Sequence, residues 1–361
     1  MKAYILSLLV LLPGLIIPAS AQDAPICGTP VPTLRPVSNF ELMRRVAPRL
    51  ANIDATYAIN LHIYVLADDN GSDLACSEDD VIANVRYASE LLNPYGFCLV
   101  ITRIEFLNSS FINTMNTSHA GRVDRLRELA SSTAVTLFYH DELFSNDGGL
   151  NGSAYDIPNH FLSVVGSQAT ETSTTLAHEL GHCLGLLHTF EDHYGEENVA
   201  RSGNCKNCEE TGDLLCDTQA DRTGINITFN TNCEYSGSET RDACNEVILF
   251  EPTNIMTYGR RTCRTELTPG QVERMKATIN TDLFTDRIAP ANLTITNAVV
   301  NSGVTTRSAR ESLNFVPTTS FQVRGTAQYF GIGKTINLSP GVVLMPGQNG
   351  MVSFKPESFC D

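Results

Sequence analysis

Eleven residues near the middle of the chain constrain its folding and chemistry more than any other segment: His178-Glu179-Leu180-Gly181-His182-Cys183-Leu184-Gly185-Leu186-Leu187-His188. On a helix, positions i and i+4 share a face, so His178 and His182 can reach one metal ion. Glu179 sits beside the first ligand, placed to hold a water rather than the metal. Gly185 is expected to end the helix, because glycine readily takes the left-handed conformation. The chain then turns, and His188 returns as a third ligand. Three neutral imidazoles leave a fourth position open, the pattern of catalytic rather than structural zinc. The other five histidines, His62, His119, His140, His160 and His193, lack ligand spacing and read as structural.

The rest of the chain narrows the setting. It has 361 residues, 42% of them hydrophobic, which is enough for a real core and for two or three units. A net charge of −15 argues against nucleic-acid binding and anionic membrane surfaces. Lys2, the apolar run Ile5–Leu12 and Ala19-Ser20-Ala21 describe a cleavable secretory signal over 1–21. No other stretch is apolar enough to span a membrane. Eleven cysteines in an exported chain should mostly be paired, and the odd number leaves at least one thiol over.

Patterning predicts a short helix at Phe40–Val46, a strand at Tyr57–Leu66 and a helix after Ser77. It then predicts strands at Cys98–Ile104, Ala134–Tyr139 and Phe161–Val165, with helices at Arg122–Ala130, Thr174–Leu184 and Gln271–Ile279. Residues 53–188 thus alternate strands and helices. Residues 189–253 carry little periodicity and many Gly, Asn, Asp and Cys, as expected of a loop stapled by bonds or metals. From about 290 the alternation of Val, Thr, Ser and Asn implies a small β domain, with no clear repeat. The expected division is 1–21 signal, 22–52 pro-segment, 53–287 catalytic domain (split at 188/189) and 288–361 C-terminal β domain. Cys205-Lys206-Asn207-Cys208 reads as a local disulfide or, without a second C-x-x-C, as half a zinc site.

The extended histidine motif resembles that of the metzincin metalloproteases. Asn254-Ile255-Met256-Thr257-Tyr258 supplies the methionine turn that this clan has below its metal. Within the clan the details resemble the pappalysin family: His188-Thr189-Phe190, Gly212-Asp213-Leu214-Leu215-Cys216-Asp217-Thr218, Leu267-Thr268-Pro269-Gly270-Gln271, and Cys27-Gly28-Thr29 near the start. Gln219 stands where that family usually has proline. The resemblance covers roughly 27–285. It implies an α/β (α+β) catalytic domain with a twisted mixed sheet and a zinc cleft, and a secreted zinc endopeptidase acting on proteins or peptides. In it a metal-activated water would lose its proton to Glu179.

The same resemblance assigns further roles. Met256 would floor the three imidazoles. Tyr258 would help hold the developing oxyanion, or else pack in the core. Disulfides Cys216–Cys244 and Cys233–Cys263 would staple the irregular loop. The order of Cys76 and Cys98 suggests a third. Asp213, Asp217 and Asp221 would hold structural calcium (Ca2+), or form a solvated acidic loop. Cys27 would occupy the fourth zinc position as thiolate and keep a zymogen latent, or pair with Cys360. Removal of the leader near Arg44, Arg45 or Arg49 would then activate the enzyme. Arg261 stands where relatives that cleave before basic residues carry an aspartate, so a requirement for Arg or Lys there is not expected. The tail, with Ile336-Asn337-Leu338-Ser339-Pro340-Gly341, resembles small β tails of secreted bacterial proteins, implying a link to secretion or surface-attachment machinery. The alternative function is a catalytically silent surface or adhesion protein on the same fold.

Overall fold

The computed structural model describes residues 27–32, 35–46, 56–222, 229–296, 299–316, 321–342, 344–346, 350–355 and 359–360. The expected signal segment and Arg49 lie outside the described residues. Strand β1 (Tyr57–Ala67) runs through the middle of the main sheet, and nearly all its side chains are buried on both faces. Such two-sided burial is what a continuous Ile/Leu/Val/Tyr run demands. Ser77 opens α2 (Glu78–Leu92) with a capping box closed by Asp80. After β2 (Phe97–Asn108) and α3 (Ala120–Leu129) come β3 (Val135–His140), the short β4 (Gly152–Ser153) and β5 (Phe161–Val165). The sheet order is β2-β1-β3-β5-β4, all parallel except the edge strand β4. Helix α4 (Thr175–Cys183) lies beneath, with Leu176, Ala177 and Leu180 packed into the same core as β1, β3 and α2.

Residues 184–260 form no helix and no strand longer than isolated bridges among the described positions. Helix α5 (Pro269–Ile279) closes this lower half, with Thr268 and Gln271 forming its capping box. The leader helix α1 (Asn39–Val46) docks on α5, where Arg274 Nε donates to Asn39 Oδ1 at 2.7 Å.

Three disulfide expectations are corrected. Cys98 bonds Cys360, not Cys76. Along β2, Phe97, Leu99 and Ile101 face the core shared with α2, whereas Cys98 and Val100 face the opposite side, against Ala58, Ala289 and Ile332. Side chains alternate along a strand, so Cys98 points away from Cys76 at the start of α2. Cys244 bonds Cys205, and Cys216 bonds Cys208, in place of Cys216–Cys244 and of a local Cys205–Cys208 link. Asp242 accepts from Val199 N at 2.8 Å and so brings the 242–246 turn alongside Cys205. The structure pairs Cys233 with Cys263, and leaves Cys27, Cys76 and Cys183 as thiols.

The tail also departs from expectation, because it does repeat. Strand β6 (Ile288–Ala289) still pairs antiparallel with β1, two residues inside the expected tail. Then β7 (Asn292–Ile295), β8 (Val299–Val300) and β9 (Val304–Ser308) make one coil. Strands β10 (Ser312–Phe315), β11 (Phe321–Val323) and β12 (Gln328–Ile332) make a second. Strands β13 (Thr335–Leu338), β14 (Leu344–Pro346) and β15 (Met351–Lys355) make a third. Corresponding strands pair in parallel in three sheets, so Asn292, Ser312 and Thr335 stack in one column and Val304, Gln328 and Met351 in another. This is a three-rung β-solenoid with a repeat of roughly 22 residues. Leu313, Phe315, Val323 and Tyr329 fill it.

Candidate metal centre

The candidate ligands come from two stretches that are distant in sequence, residues 178–188 and the leader around Cys27. Helix α4 presents His178 and His182 one turn apart, and ends at Gly185, whose φ is +91°. The chain reverses there and brings His188 Nε2 to 3.2 Å from His178 Nε2 and 3.1 Å from His182 Nε2. Cys27, from the leader, puts its Sγ 3.4 Å from His182 Nε2. The four ligand atoms lie within 4.8 Å of one another. Around a tetrahedral zinc with bonds of about 2.0–2.3 Å, such atoms would stand about 3.3–3.6 Å apart. The donor set therefore fits zinc. His178 Nδ1 lies 2.8 Å from Ile255 O, and His182 Nδ1 lies 2.8 Å from Leu186 O. A carbonyl only accepts, so both rings carry their proton on Nδ1 and turn the Nε2 lone pair inward. Burial lowers His182 to about 4 and lowers His178 and His188 well below the ordinary imidazole value, which keeps the rings neutral as ligands must be.

Met256 is wholly buried below this group. Its sulfur leaves no room for a side chain at Gly181, where a Cβ would come within 2.5 Å of Sδ. Ile255 O and Asn254 orient the turn, Asn254 Oδ1 accepting from Met256 N at 2.9 Å. Asp221 joins the turn to the segment after His188: its Oδ2 accepts from Thr189 Oγ1 at 2.7 Å and from Thr257 Oγ1 at 2.9 Å.

Glu179 is 1% exposed, and burial pushes its carboxyl up to about 7. Its Oε2 accepts from Thr29 Oγ1 at 2.8 Å and lies 3.5 Å from Cys27 Sγ, while Oε1 has no partner. Tyr258 Oη lies 3.2 Å from both the N and the O of Cys27. Its ring packs on His188 and Phe190. Gly28 N donates to Gly152 O at 2.8 Å, and Cys27 bridges Gly152 in parallel, so the leader lies along edge strand β4. Burial first, and then the Glu179 charge, raise the Cys27 thiol well above its ordinary value. A cation among the imidazoles is the charge that would favour its thiolate.

The three aspartates do not converge, which corrects the expectation of one shared site. Spacing of four would align them only on a helix, and residues 211–222 are turns, with Leu214 at φ +64°. Asp221 serves the methionine turn, Asp217 accepts from Gly270 N at the start of α5 at 2.6 Å, and Asp213 turns inward. There it meets Glu197, which sequence reasoning missed. Both are 1% exposed. Glu197 Oε1 pairs with Arg201 at 2.9 Å, while Glu197 Oε2 and Asp213 Oδ2 have no hydrogen-bond partner. Burial, reinforced by Asp213, pushes Glu197 up to about 9, and burial pushes Asp213 up to about 7. Thr29 and Arg264 were missed as well. Thr29 belongs to the quoted C-G-T motif, but nothing in that motif says that its hydroxyl would reach Glu179. Arg261 sits in a single 3-10 turn, Arg261–Cys263, its Nη1 hydrogen-bonded to Gln168 Oε1.

The three histidines and Glu179 lie in a stretch that is similar to known proteins. Residues 134–280 match the peptidase family described as pregnancy-associated plasma protein-A. This stretch of the chain is similar to the peptidase region of that family. The extracellular metalloprotease of Arthroderma gypseum is 31% identical over 102 residues, 28% of this chain and 28% of that protein. Human pappalysin-1 is 32% identical over 131 residues, 35% of this chain and 7% of that protein. The extracellular metalloprotease of Pyricularia oryzae is 25% identical over 280 residues, 70% of this chain and 87% of that protein. The chain spans only 28–31% of the length of the first curated relatives it matches. A promirolysin mutant of Tannerella forsythia aligns with a TM-score of 0.47 at 18% identity, covering 73% of this chain and 96% of that one. No helix among the described residues is long and apolar enough to cross a membrane.

Proposed function

We propose that the chain is a secreted zinc endopeptidase made as a latent precursor. One observation carries this reading: His178, His182 and His188 converge with Glu179 beside them, in a region matching a peptidase family. Zinc bound by the three imidazoles would supply Lewis acidity for the scissile carbonyl and for water. The chain's own residues do the rest. Glu179, buried beside the three imidazoles, is placed to accept a proton from water and to return it to the leaving amine. Tyr258, freed of Cys27, offers its hydroxyl to the oxygen on which charge develops. Strand β4 has Gly152 O turned towards the cleft and would hold a substrate as an added strand.

Latency rests on the leader. Cys27 fills the fourth ligand position, Thr29 occupies Glu179, and Tyr258 is bound to the Cys27 backbone. Arg44 and Arg45 are exposed on α1, where an activating protease can reach them. The cleft beside Arg261 has no lining carboxylate, which supports the absence of a requirement for Arg or Lys in the substrate. Glu197 and Asp213, buried and short of partners, are the residues suited to a structural calcium ion. The solenoid tail, bonded through Cys360, is the part assigned to secretion or surface placement.

The deciding experiment measures zinc content together with casein hydrolysis, before and after removal of the leader. Glu179→Ala is expected to keep zinc and lose hydrolysis by at least about a thousandfold. Full activity in that variant sinks the proposal.

A further inference from the structure

We propose that Arg264 is a specificity-determining residue that receives an acidic side chain of the substrate next to the scissile bond. This rests on the peptidase reading above and names the substrate class for it.

Arg264 follows the Cys233–Cys263 disulfide, which fixes the start of its segment. The residue is 1% exposed and among the largest fully buried side chains of the protein. Only Nη1 makes a hydrogen bond, a 3.3 Å contact to Thr257 O, the carbonyl one residue after Met256. Nε and Nη2 have no partner. A buried guanidinium normally finds a carboxylate for its planar fork, and leaving two charged donors unpaired is costly. Thr257, which Arg264 contacts, lies between Met256 and Tyr258, and Tyr258 packs on His188, so the guanidinium stands behind the turn that borders the metal centre. Glu179 Oε2 is taken up by Thr29 and Cys27 on the leader side, and among the described residues no carboxylate is hydrogen-bonded to Arg264.

The neighbouring surface has the same sign. A cleft of about 380 Å³ is lined by Gln168, Thr170, Ser173, Arg260, Arg261 and Thr262, among others, with no acidic residue. Arg260 Nη1 is also buried without a partner. In a chain of net charge −15, two nearby arginines, Arg260 and Arg264, whose buried donors lack hydrogen-bond partners mark a place for an anion that arrives from outside. A substrate threading the cleft supplies one as an Asp or Glu side chain. Its two oxygens match the two open donors of Arg264. The guanidinium then gains its missing partners only when the substrate binds, so an amide side chain of the same shape is discriminated against by the lost charge.

The test uses full-length protein before and after limited trypsin treatment. Cut sites are profiled in a peptide library by mass spectrometry. Then kcat/KM is measured on matched peptides carrying Glu, Gln or Leu at the preferred position. Enrichment of Asp and Glu at one position flanking the cut is expected, with Glu favoured over Gln by about tenfold or more. In Arg264→Gln the Glu/Gln ratio is expected to fall to about one. Arg264→Lys, which keeps a point charge but not the fork, should fall between. An equal loss on all three peptides would mean that Arg264 only supports the methionine turn, and overturns the inference. So does a wild-type profile without acidic enrichment, a result that stands even if the variants do not fold. Failure of both wild-type forms to hydrolyse casein overturns the peptidase reading itself, and this inference with it.

Discussion

At the scale of single residues, the centre is built by exclusion as much as by attraction. Gly181 lies between the two helical histidines because Met256 Sδ occupies the space that any Cβ would need. Gly152 is small for a similar reason, since a Cβ there would meet Glu179 at 2.6 Å. The histidine motif displays the first constraint as Gly181 without saying what stands opposite it, and Gly152 lies outside every motif. Cys27 is the residue whose role is tested most directly. Its sulfur completes the ligand set, but Thr29 and the backbone bonds of Gly28 also hold the leader. Cys27→Ser replaces a soft thiolate with a poor zinc ligand and leaves those bonds in place. The expected outcome is an unprocessed precursor with measurable casein hydrolysis where the wild-type precursor has none. An equally silent variant would show that Thr29 and the backbone contacts suffice for latency.

At the scale of elements, legibility followed periodicity. Strand β5 begins and ends where alternation places it, and α4 and α5 differ from expectation by one or two residues at their ends. These elements bury a continuous apolar face, which sequence shows directly. The disulfides were less legible, because pairing depends on which face of β2 holds Cys98 and on how the Asp242 turn folds against Val199. The solenoid was missed because its rungs share alternation but not residue identity, and the strands of β8 and β11 are only two and three residues long. Among the three histidines and Glu179 the site was legible from spacing. Arg264 and Glu197 were not, since their meaning lies in the partners they lack. One element can be tested by itself. Thr268 accepts from Gln271 N at the start of α5, and Gln271 returns the bond to Thr268 N. Thr268→Ala removes half of this box and should cost about 1 kcal/mol in urea unfolding, with the midpoint shifted and the slope unchanged.

At the scale of the whole molecule, the calcium proposal predicts a link between pH and cation binding through the Glu197–Asp213 pair. Both carboxyls titrate higher in the folded protein than in an unfolded chain. The folded state therefore binds these protons more tightly. The contribution to stability is complete below about pH 4, and is lost as pH rises through about 7 and then about 9. The melting temperature of calcium-free protein should fall between pH 5 and pH 9. Added calcium, which substitutes for the protons, should raise it more at pH 9 than at pH 5. Glu197→Gln should weaken both effects, and a calcium response unchanged in that variant would place the ion elsewhere.

The Cys98–Cys360 bond has one more consequence. It joins residues 262 positions apart and so closes most of the chain into a covalent ring. A protease works among others of its kind and is exposed to their cuts. A single nick anywhere between Cys98 and Cys360 opens a loop but releases neither piece, because both remain attached through the bond. Nicked molecules should run with intact ones on a non-reducing gel and separate only when a thiol is added. The sulfur bridge thus sets the chain's tolerance to nicking, so its ageing among proteases would be governed by reductant before it is governed by proteolysis.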